Sequence, residues 1–246
     1  MKTKRMIGFD RRIRLEWLDA MISWAAEELP MNNIRAKLYD LLEGHVSGAV
    51  KDGAQRKTFT VLARIWLTVP EELQSLRDDG LILYPKVAAS ERMGVHWGMC
   101  IASYPFFREV VSQIGRLSKL QEELTLEQIR RRIIEQWGDT ERVRRSARHV
   151  VQTLRDWEVL VPLERKGTYA GGKPITIQNP DLKSWLAEAL ILSNNTNMIP
   201  MRSLGAHPAF FPFSLSFSSQ DIVNNPRLER FRQSLDEDVV MLRGKS

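Results

Sequence analysis

The chain has 246 residues, of which 43% are hydrophobic, so it is long and apolar enough to fill a globular core. Its 36 lysines and arginines outnumber its 30 aspartates and glutamates, and the resulting formal charge of +6 favours polyanionic partners such as nucleic acid. The single cysteine, Cys100, excludes an intrachain disulfide and a cysteine-rich zinc site. Because the sequence has neither a signal-peptide pattern nor a long apolar run, we expect a cytoplasmic protein without membrane contact.

Residues 1–14 carry six basic side chains and one acidic side chain, Asp10. Such a run predicts a basic N-terminal arm that reaches for phosphates, with Arg11 and Arg12 as candidate DNA contacts. A solvated terminus without a ligand is the alternative.

Residues 15–102 form a predicted helical N-terminal domain. Apolar residues recur at three- and four-residue spacings from Leu15 to Leu29, which predicts an amphipathic helix closed by Pro30. We predict a second helix capped by Asn32 or Asn33 and a third that starts near Thr58. Shorter helices are expected over 71–76 and 90–99, with Gly80 and Pro85 as breaks between them.

Residues 103–192 are predicted to form a winged helix-turn-helix domain. A helix over 104–120 precedes one that opens at Thr125, and a short turn at Gly138-Asp139 leads to a basic helix opening at Thr140. Two predicted strands follow, at 159–161 and 175–177, joined by the segment RKGTYAGGK. This order of elements is typical of a helix-turn-helix with a β-hairpin wing. The expected fold class is therefore mainly α, with a C-terminal extension over 193–246.

The helix that opens at Thr140 has an apolar stripe and a basic face. Val143, Ala147, Val150, Val151 and Leu154 share one side, whereas Arg142, Arg145, His149 and Gln152 fall opposite and Arg144 and Arg148 flank the stripe. Arginine-rich faces bind DNA phosphates and guanine edges, although a solvated face on an ordinary helix is the alternative. The predicted DNA contacts are Arg142, Arg144, Arg145, Arg148, His149, Gln152, Arg130, Arg131, Arg165, Lys166, Tyr169, Lys173, Arg11 and Arg12.

No residue pattern predicts catalysis, a metal site or a cofactor. The segment from Gly167 to Lys173 has the spacing GxxxxGK of a phosphate-binding loop, but Pro174 follows where that motif needs a serine or threonine. His96 and Cys100 are four residues apart on a predicted helix, and without further ligands we interpret them as a packed imidazole and a buried thiol.

Residues 193–246 differ in composition from the preceding chain. The stretch over 193–220 is rich in serine, asparagine, proline and phenylalanine and is nearly free of charge. The alternating sequence FPFSLSFS over 211–218 predicts a strand, and a helix or helix-strand pair is expected from Pro226 onward.

The YPFF helix, the helix opening at Thr125 and the run TERVRRSARHVVQTLRDWEVL resemble the C-terminal half of the BrxA proteins of BREX anti-phage systems. The chain size and the helical N-terminal part are also similar, and the resemblance covers about residues 15–192. It implies binding of double-stranded DNA without catalysis, in company with a defence-system methyltransferase and ATPases. The segment after Ser193 extends beyond the usual end of that family.

Three hypotheses follow for the function. The first is a non-enzymatic double-stranded DNA-binding component of a phage-defence system, with low sequence specificity and other proteins of the defence complex as further partners. The second is a sequence-specific transcriptional regulator, which would prefer one operator over random duplex. The third is a winged-helix scaffold whose arginines meet an acidic protein.

Overall fold

The computed structural model describes residues 6–46, 51–194, 198–234 and 237–244. The protein is mainly helical, and three small sheets are present among these residues. The helices are α1 (Leu15–Ala26), α2 (Met31–Leu42), α3 (Lys51–Trp66), α4 (Gln74–Leu83), α5 (Arg92–Ser103), α6 (Pro105–Ser118), α7 (Leu126–Trp137), α8 (Glu141–Asp156), α9 (Pro180–Ser193), α10 (Met201–Leu204) and α11 (Ser219–Val223). The strands are β1 (Glu123–Thr125), β2 (Leu160–Pro162), β3 (Thr168–Gly171), β4 (Ile175–Thr176), β5 (Met198–Pro200), β6 (Phe213–Ser214), β7 (Leu228–Ser234) and β8 (Glu237–Leu242).

Helices α1 to α4 follow the predicted order but not all the predicted ends. Pro30 occupies the cap position of α2 without a side-chain hydrogen bond, so the predicted asparagine cap is wrong. Helix α3 begins well before Thr58. Gly80 is not a break either, because α4 continues through it. A Cβ atom at this position would lie 3.1 Å from the rings of Trp66 and Trp185, so glycine lets the helix approach both tryptophans.

Helices α5 and α9 pack closely at the centre of the molecule. A Cβ atom on Gly98 of α5 would lie 2.1 Å from the ring of Trp185 on α9, so only glycine allows this approach. Glu91, just before α5, accepts hydrogen bonds from the amides of Gln178 and Asn179 at the start of α9. One apolar cluster runs from Phe9 to Leu242, so the predicted boundaries at 102/103 and 192/193 do not separate cores within the described residues.

Helices α6, α7 and α8 pack on one another and lead into a three-stranded antiparallel sheet. The buried residues Ile129 and Ile133 of α7 and Val143 and Val150 of α8 contribute to the core, as their spacing predicts. The sheet has the order β1-β3-β2, in which Leu124 pairs with Tyr169 and Val161 pairs with Ala170. The sequence did not predict β1, because a three-residue strand carries too little pattern to be recognised.

The sequence predicted a hairpin between the strands at 159–161 and 175–177, and this pairing is wrong. Strand β2 pairs with β3, whereas β4 leaves this sheet and pairs in parallel with β6. Gly167 makes the hairpin turn with a φ of +81°, a conformation that glycine adopts without steric cost. The apolar alternation of Ile175–Ile177 predicts a strand correctly, but only the fold determines which strand it meets.

The C-terminal residues cover the helices and do not form a separate layer. The 3₁₀ turn over Pro208–Phe210 packs on α6, where the Pro208 carbonyl oxygen would lie 2.3 Å from a Cβ atom on Gly115. Strands β5, β8 and β7 form an antiparallel sheet. Only β6 occupies part of the strand predicted over 211–218, and the segment predicted as a helix or helix-strand pair from Pro226 is the β7–β8 hairpin.

The buried carboxylate of Glu188 on α9 ties this hairpin to the helices. It accepts a hydrogen bond from the Arg227 guanidinium at 2.7 Å and another from the Asn225 amide at 2.7 Å. Arg227 also pairs with Asp79 on α4. Because a buried charge is costly without partners, these contacts fix the start of β7 against α4 and α9.

Candidate nucleic-acid interface

Helix α8 presents an exposed face rich in arginine. Thr140 caps the helix by accepting a hydrogen bond from the Val143 amide at 3.2 Å, and Gly138 makes the preceding turn with a φ of +83°. The predicted apolar stripe is buried. The side chains of Arg142, Arg145 and Arg148 are exposed, and we call these three residues the basic face.

The arginines of the basic face have no acidic partner among the described residues of the chain. Glu141 is the one acidic residue in the first three turns of the helix, where it lies at the positive end of the helix dipole. Three neighbouring guanidinium groups without a counter-charge repel one another. A polyanion would relieve that repulsion and accept their hydrogen bonds.

The remaining predicted arginines of α7 and α8 take part in ion pairs. The Arg144 Nε atom donates to Asp139 Oδ1 at 2.6 Å, and this bond lowers the pKa of the Asp139 carboxyl group. Arg130 lies 3.8 Å from Glu127 and Arg131 lies 3.5 Å from Glu135. Arg144 therefore holds the turn between α7 and α8, and it offers less free charge to a ligand than the basic face does.

His149 and Gln152 lie beside the basic face and are half-buried. Burial, helped by the positive charges of Arg11 and Arg148, lowers the pKa of the His149 imidazole. Gln152 lies near enough to His149 to influence the same pKa. At neutral pH this pair therefore supplies polar contacts and no additional positive charge.

The N-terminal segment is not a free arm over residues 6–14. Phe9 and Ile13 are fully buried, and the Ile13 amide donates to Thr153 Oγ1 on α8 at 2.9 Å. The Trp157 indole donates to the Ile13 carbonyl oxygen at 3.0 Å. The prediction missed this docking, although two apolar residues four apart in a basic run were the available signal. Lys2, Lys4 and Arg5 lie outside the described residues.

Arg11 and Arg12, the two predicted DNA contacts of this segment, have different partners in the structure. The Arg12 Nη2 atom donates to Asp156 Oδ1 at 2.6 Å, so Arg12 is paired with the end of α8. Arg11 lies near enough to His149 to affect its pKa, and its Nη1 atom donates to the Asp10 carbonyl oxygen at 3.0 Å. The segment thus adds Arg11 to the border of the basic face.

The residues that the sequence assigned to one wing lie at different places on the β2–β3 hairpin. Its loop presents Arg165 and Lys166, both exposed, whereas Tyr169 is half-buried within β3 and faces the core. Lys173 follows β3 and lines a cavity with Arg155 and Glu158, at the end of the hairpin away from the loop. Lys173 is therefore not a residue of the hairpin loop, because the returning strand ends at Gly171.

The other chemically notable residues are packed into the helical core. The His96 Nε2 atom lies 2.9 Å from Asp19 Oδ1, and burial raises the pKa of the Cys100 thiol well above its ordinary value. Among the described residues no group of three or more histidine, cysteine, aspartate or glutamate side chains is placed to hold a metal ion. No helix in the described ranges has the length and apolar character needed to cross a bilayer.

Comparison of the chain with protein-family models finds no match, and comparisons with curated proteins and with solved structures find none either.

Proposed function

We propose that residues 105–171 form a winged helix-turn-helix and that the protein binds double-stranded DNA through α8 without catalysing a reaction. The order of α6, β1, α7, α8, β2 and β3 and the sheet order β1-β3-β2 support this proposal. In such a fold the second helix of the helix-turn-helix enters the major groove and the hairpin loop meets the backbone. Helix α8 and the loop with Arg165 and Lys166 correspond to these two parts.

The basic face carries the proposal. Its three exposed guanidinium groups lie on one side of a helix whose opposite side is fully buried, so they can approach a ligand together. The major groove is about 12 Å wide and admits an α-helix. A planar guanidinium donates paired hydrogen bonds to phosphate oxygens or to a guanine edge, which an exposed, unpaired arginine is ready to make.

Low sequence specificity and a place in phage defence are further parts of this proposal, and they rest on the resemblance of TERVRRSARHVVQTLRDWEVL and the YPFF helix to the BrxA family. On this proposal other proteins of a BREX-like complex are additional partners. Contacts to phosphates fix a protein on DNA without reading its sequence, which agrees with a surface dominated by arginine.

The direct test is a gel-shift titration on random duplex DNA with the variant Arg145→Glu/Arg148→Glu. Removing two positive charges and adding two negative ones should weaken binding by more than roughly 100-fold at low salt, since each lost phosphate contact forfeits released counterion. A matched control, Lys86→Glu/Lys183→Glu, makes the same change in net charge outside the basic face and should bind nearly as the wild type does. Equal binding by both variants would contradict the proposal.

Two comparisons separate the alternative functions. A strong preference for one sequence over random duplex would favour a transcriptional regulator. Failure of the wild-type protein to bind any nucleic acid at low salt would favour a scaffold whose basic face meets an acidic protein.

A further inference from the structure

Helix α3 has a second basic surface that lies outside the helix-turn-helix. Its exposed and half-exposed residues recur at three- and four-residue spacings and form one stripe, which we call the α3 strip: Gly53, Arg56, Lys57, Thr60 and Arg64. Asp52, in the first turn, is the one acidic residue in the sequence of this helix. Arg56, Lys57 and Arg64 form no ion pair with any part of the chain that the structure describes.

The α3 strip ends beside the N-terminal segment. The Arg64 guanidinium lies 5.9 Å from the centre of the Tyr104 ring, and its Nε atom donates to the Ser103 carbonyl oxygen at 3.3 Å. Tyr104 donates to the Val61 carbonyl oxygen and packs edge-on against Phe9 at 5.4 Å. The cationic end of α3 therefore adjoins the residues that lead to Arg11.

The N-terminal segment continues this surface to α8. Arg11 and Asp10 both lie close enough to His149 to affect its pKa, and Ile13 is hydrogen-bonded to Thr153. Asp10 is the one acidic residue between Met6 and Arg14. Basic residues therefore lie on α3, on the docked segment and on α8, and Tyr104 and Phe9 pack between the first two.

We propose that the α3 strip is a second DNA-contacting surface, which holds the phosphate backbone of duplex that extends beyond the segment bound by α8. This inference rests on the proposed function. From Gly53 to Arg64 the strip is about 16 Å long at a rise of 1.5 Å per residue. B-DNA carries one negative charge per roughly 1.7 Å of its axis, so a strip of this length faces several phosphates. Its lysine and arginine side chains hold the backbone without reading bases.

The test compares duplexes of 12 and 30 base pairs by fluorescence anisotropy at several salt concentrations. The variant Arg56→Gln/Lys57→Gln removes two exposed charges and leaves Arg64, with its contacts to Ser103 and Tyr104, in place. On the longer duplex the slope of log affinity against log salt should become shallower by roughly 1.8, because about 0.9 is lost for each phosphate contact. On the shorter duplex the change should be much smaller.

The variants of the two surfaces distinguish the possible failures. If Arg56→Gln/Lys57→Gln binds the longer duplex with the wild-type affinity and salt slope, while Arg145→Glu/Arg148→Glu does not bind, the inference about α3 is wrong and the proposed function stands. A wild-type protein that binds neither duplex overturns both. Circular dichroism of Arg56→Gln/Lys57→Gln should match the wild type, because both side chains are exposed.

Discussion

On the proposed function, neutralising the basic face should change the salt dependence of DNA binding by a predictable amount. The perturbation is the triple variant Arg142→Gln/Arg145→Gln/Arg148→Gln, which keeps long polar side chains on α8 and removes only their charge. All three residues are exposed, so replacing them should leave the helix folded. The variant therefore isolates the electrostatic contribution of this face.

The size of the effect follows from the number of unpaired arginines. If each contacts one phosphate, the slope of log affinity against log salt should fall in magnitude by roughly 2.7. Between 50 and 200 mM salt the wild-type protein should then lose about 40-fold more affinity than the variant does. Arg144→Gln is the matched control on the same helix, and it should change the slope little because Arg144 is paired with Asp139.

The assay is a salt titration by fluorescence anisotropy on a random duplex, with all three proteins measured in parallel. A triple variant that retains the wild-type slope would show that these arginines do not neutralise phosphates. An Arg144→Gln variant with the larger effect would show that the ion pair with Asp139 opens on binding and that the exposed face was assigned to the wrong residues.

Two further predictions concern stability. Gly98→Ala should lower the free energy of unfolding by about 1 to 3 kcal/mol in urea titrations, because its Cβ atom would lie 2.1 Å from the Trp185 ring. The control is Gly171→Ala, whose Cβ atom would meet only ordinary contacts at 3.7 Å, and it should lower the free energy of unfolding by less. Burial, with nearby Arg116, Arg108 and Lys119, lowers the pKa of His207 from 6.5 to about 4. The unfolded chain therefore binds a proton at a higher pH than the folded protein does, and stability should be lost as pH falls from 6.5 towards 4. The variant His207→Asn keeps an acceptor for the Ala209 amide. It should show a smaller loss of melting temperature between pH 7 and 4.5 than the wild type does.

The helices of this protein could be predicted from local signals. The apolar spacing of α1, α6, α7 and α8 is strong, and the Thr125 and Thr140 caps mark helix starts that the structure confirms. The outward orientation of Arg142 and Arg145 also follows from helical periodicity alone. These features depend on residues a few positions apart, so a single sequence contains the information.

Contacts between distant residues could not be predicted in this way. Strand β4 pairs with β6, nearly 40 residues later, and its own sequence does not distinguish that partner from β2. Gly80 was predicted as a break for the same reason, since a glycine can end a helix or admit a neighbouring ring and the sequence does not show the rings of Trp66 and Trp185.

The candidate site also combines features that follow from local sequence with features that depend on contacts in the folded chain. The sequence by itself determined that α8 has a buried apolar stripe and an arginine-rich outer face, because both follow from a period of 3.6 residues. Only the tertiary structure decided which arginines carry unpaired charge, because Arg144 meets Asp139 and Arg12 meets Asp156. It also decided that Lys173 lies away from the hairpin loop. It also placed the N-terminal segment between α3 and α8, because the burial of Phe9 and Ile13 depends on surfaces contributed by residues about 100 or more positions away.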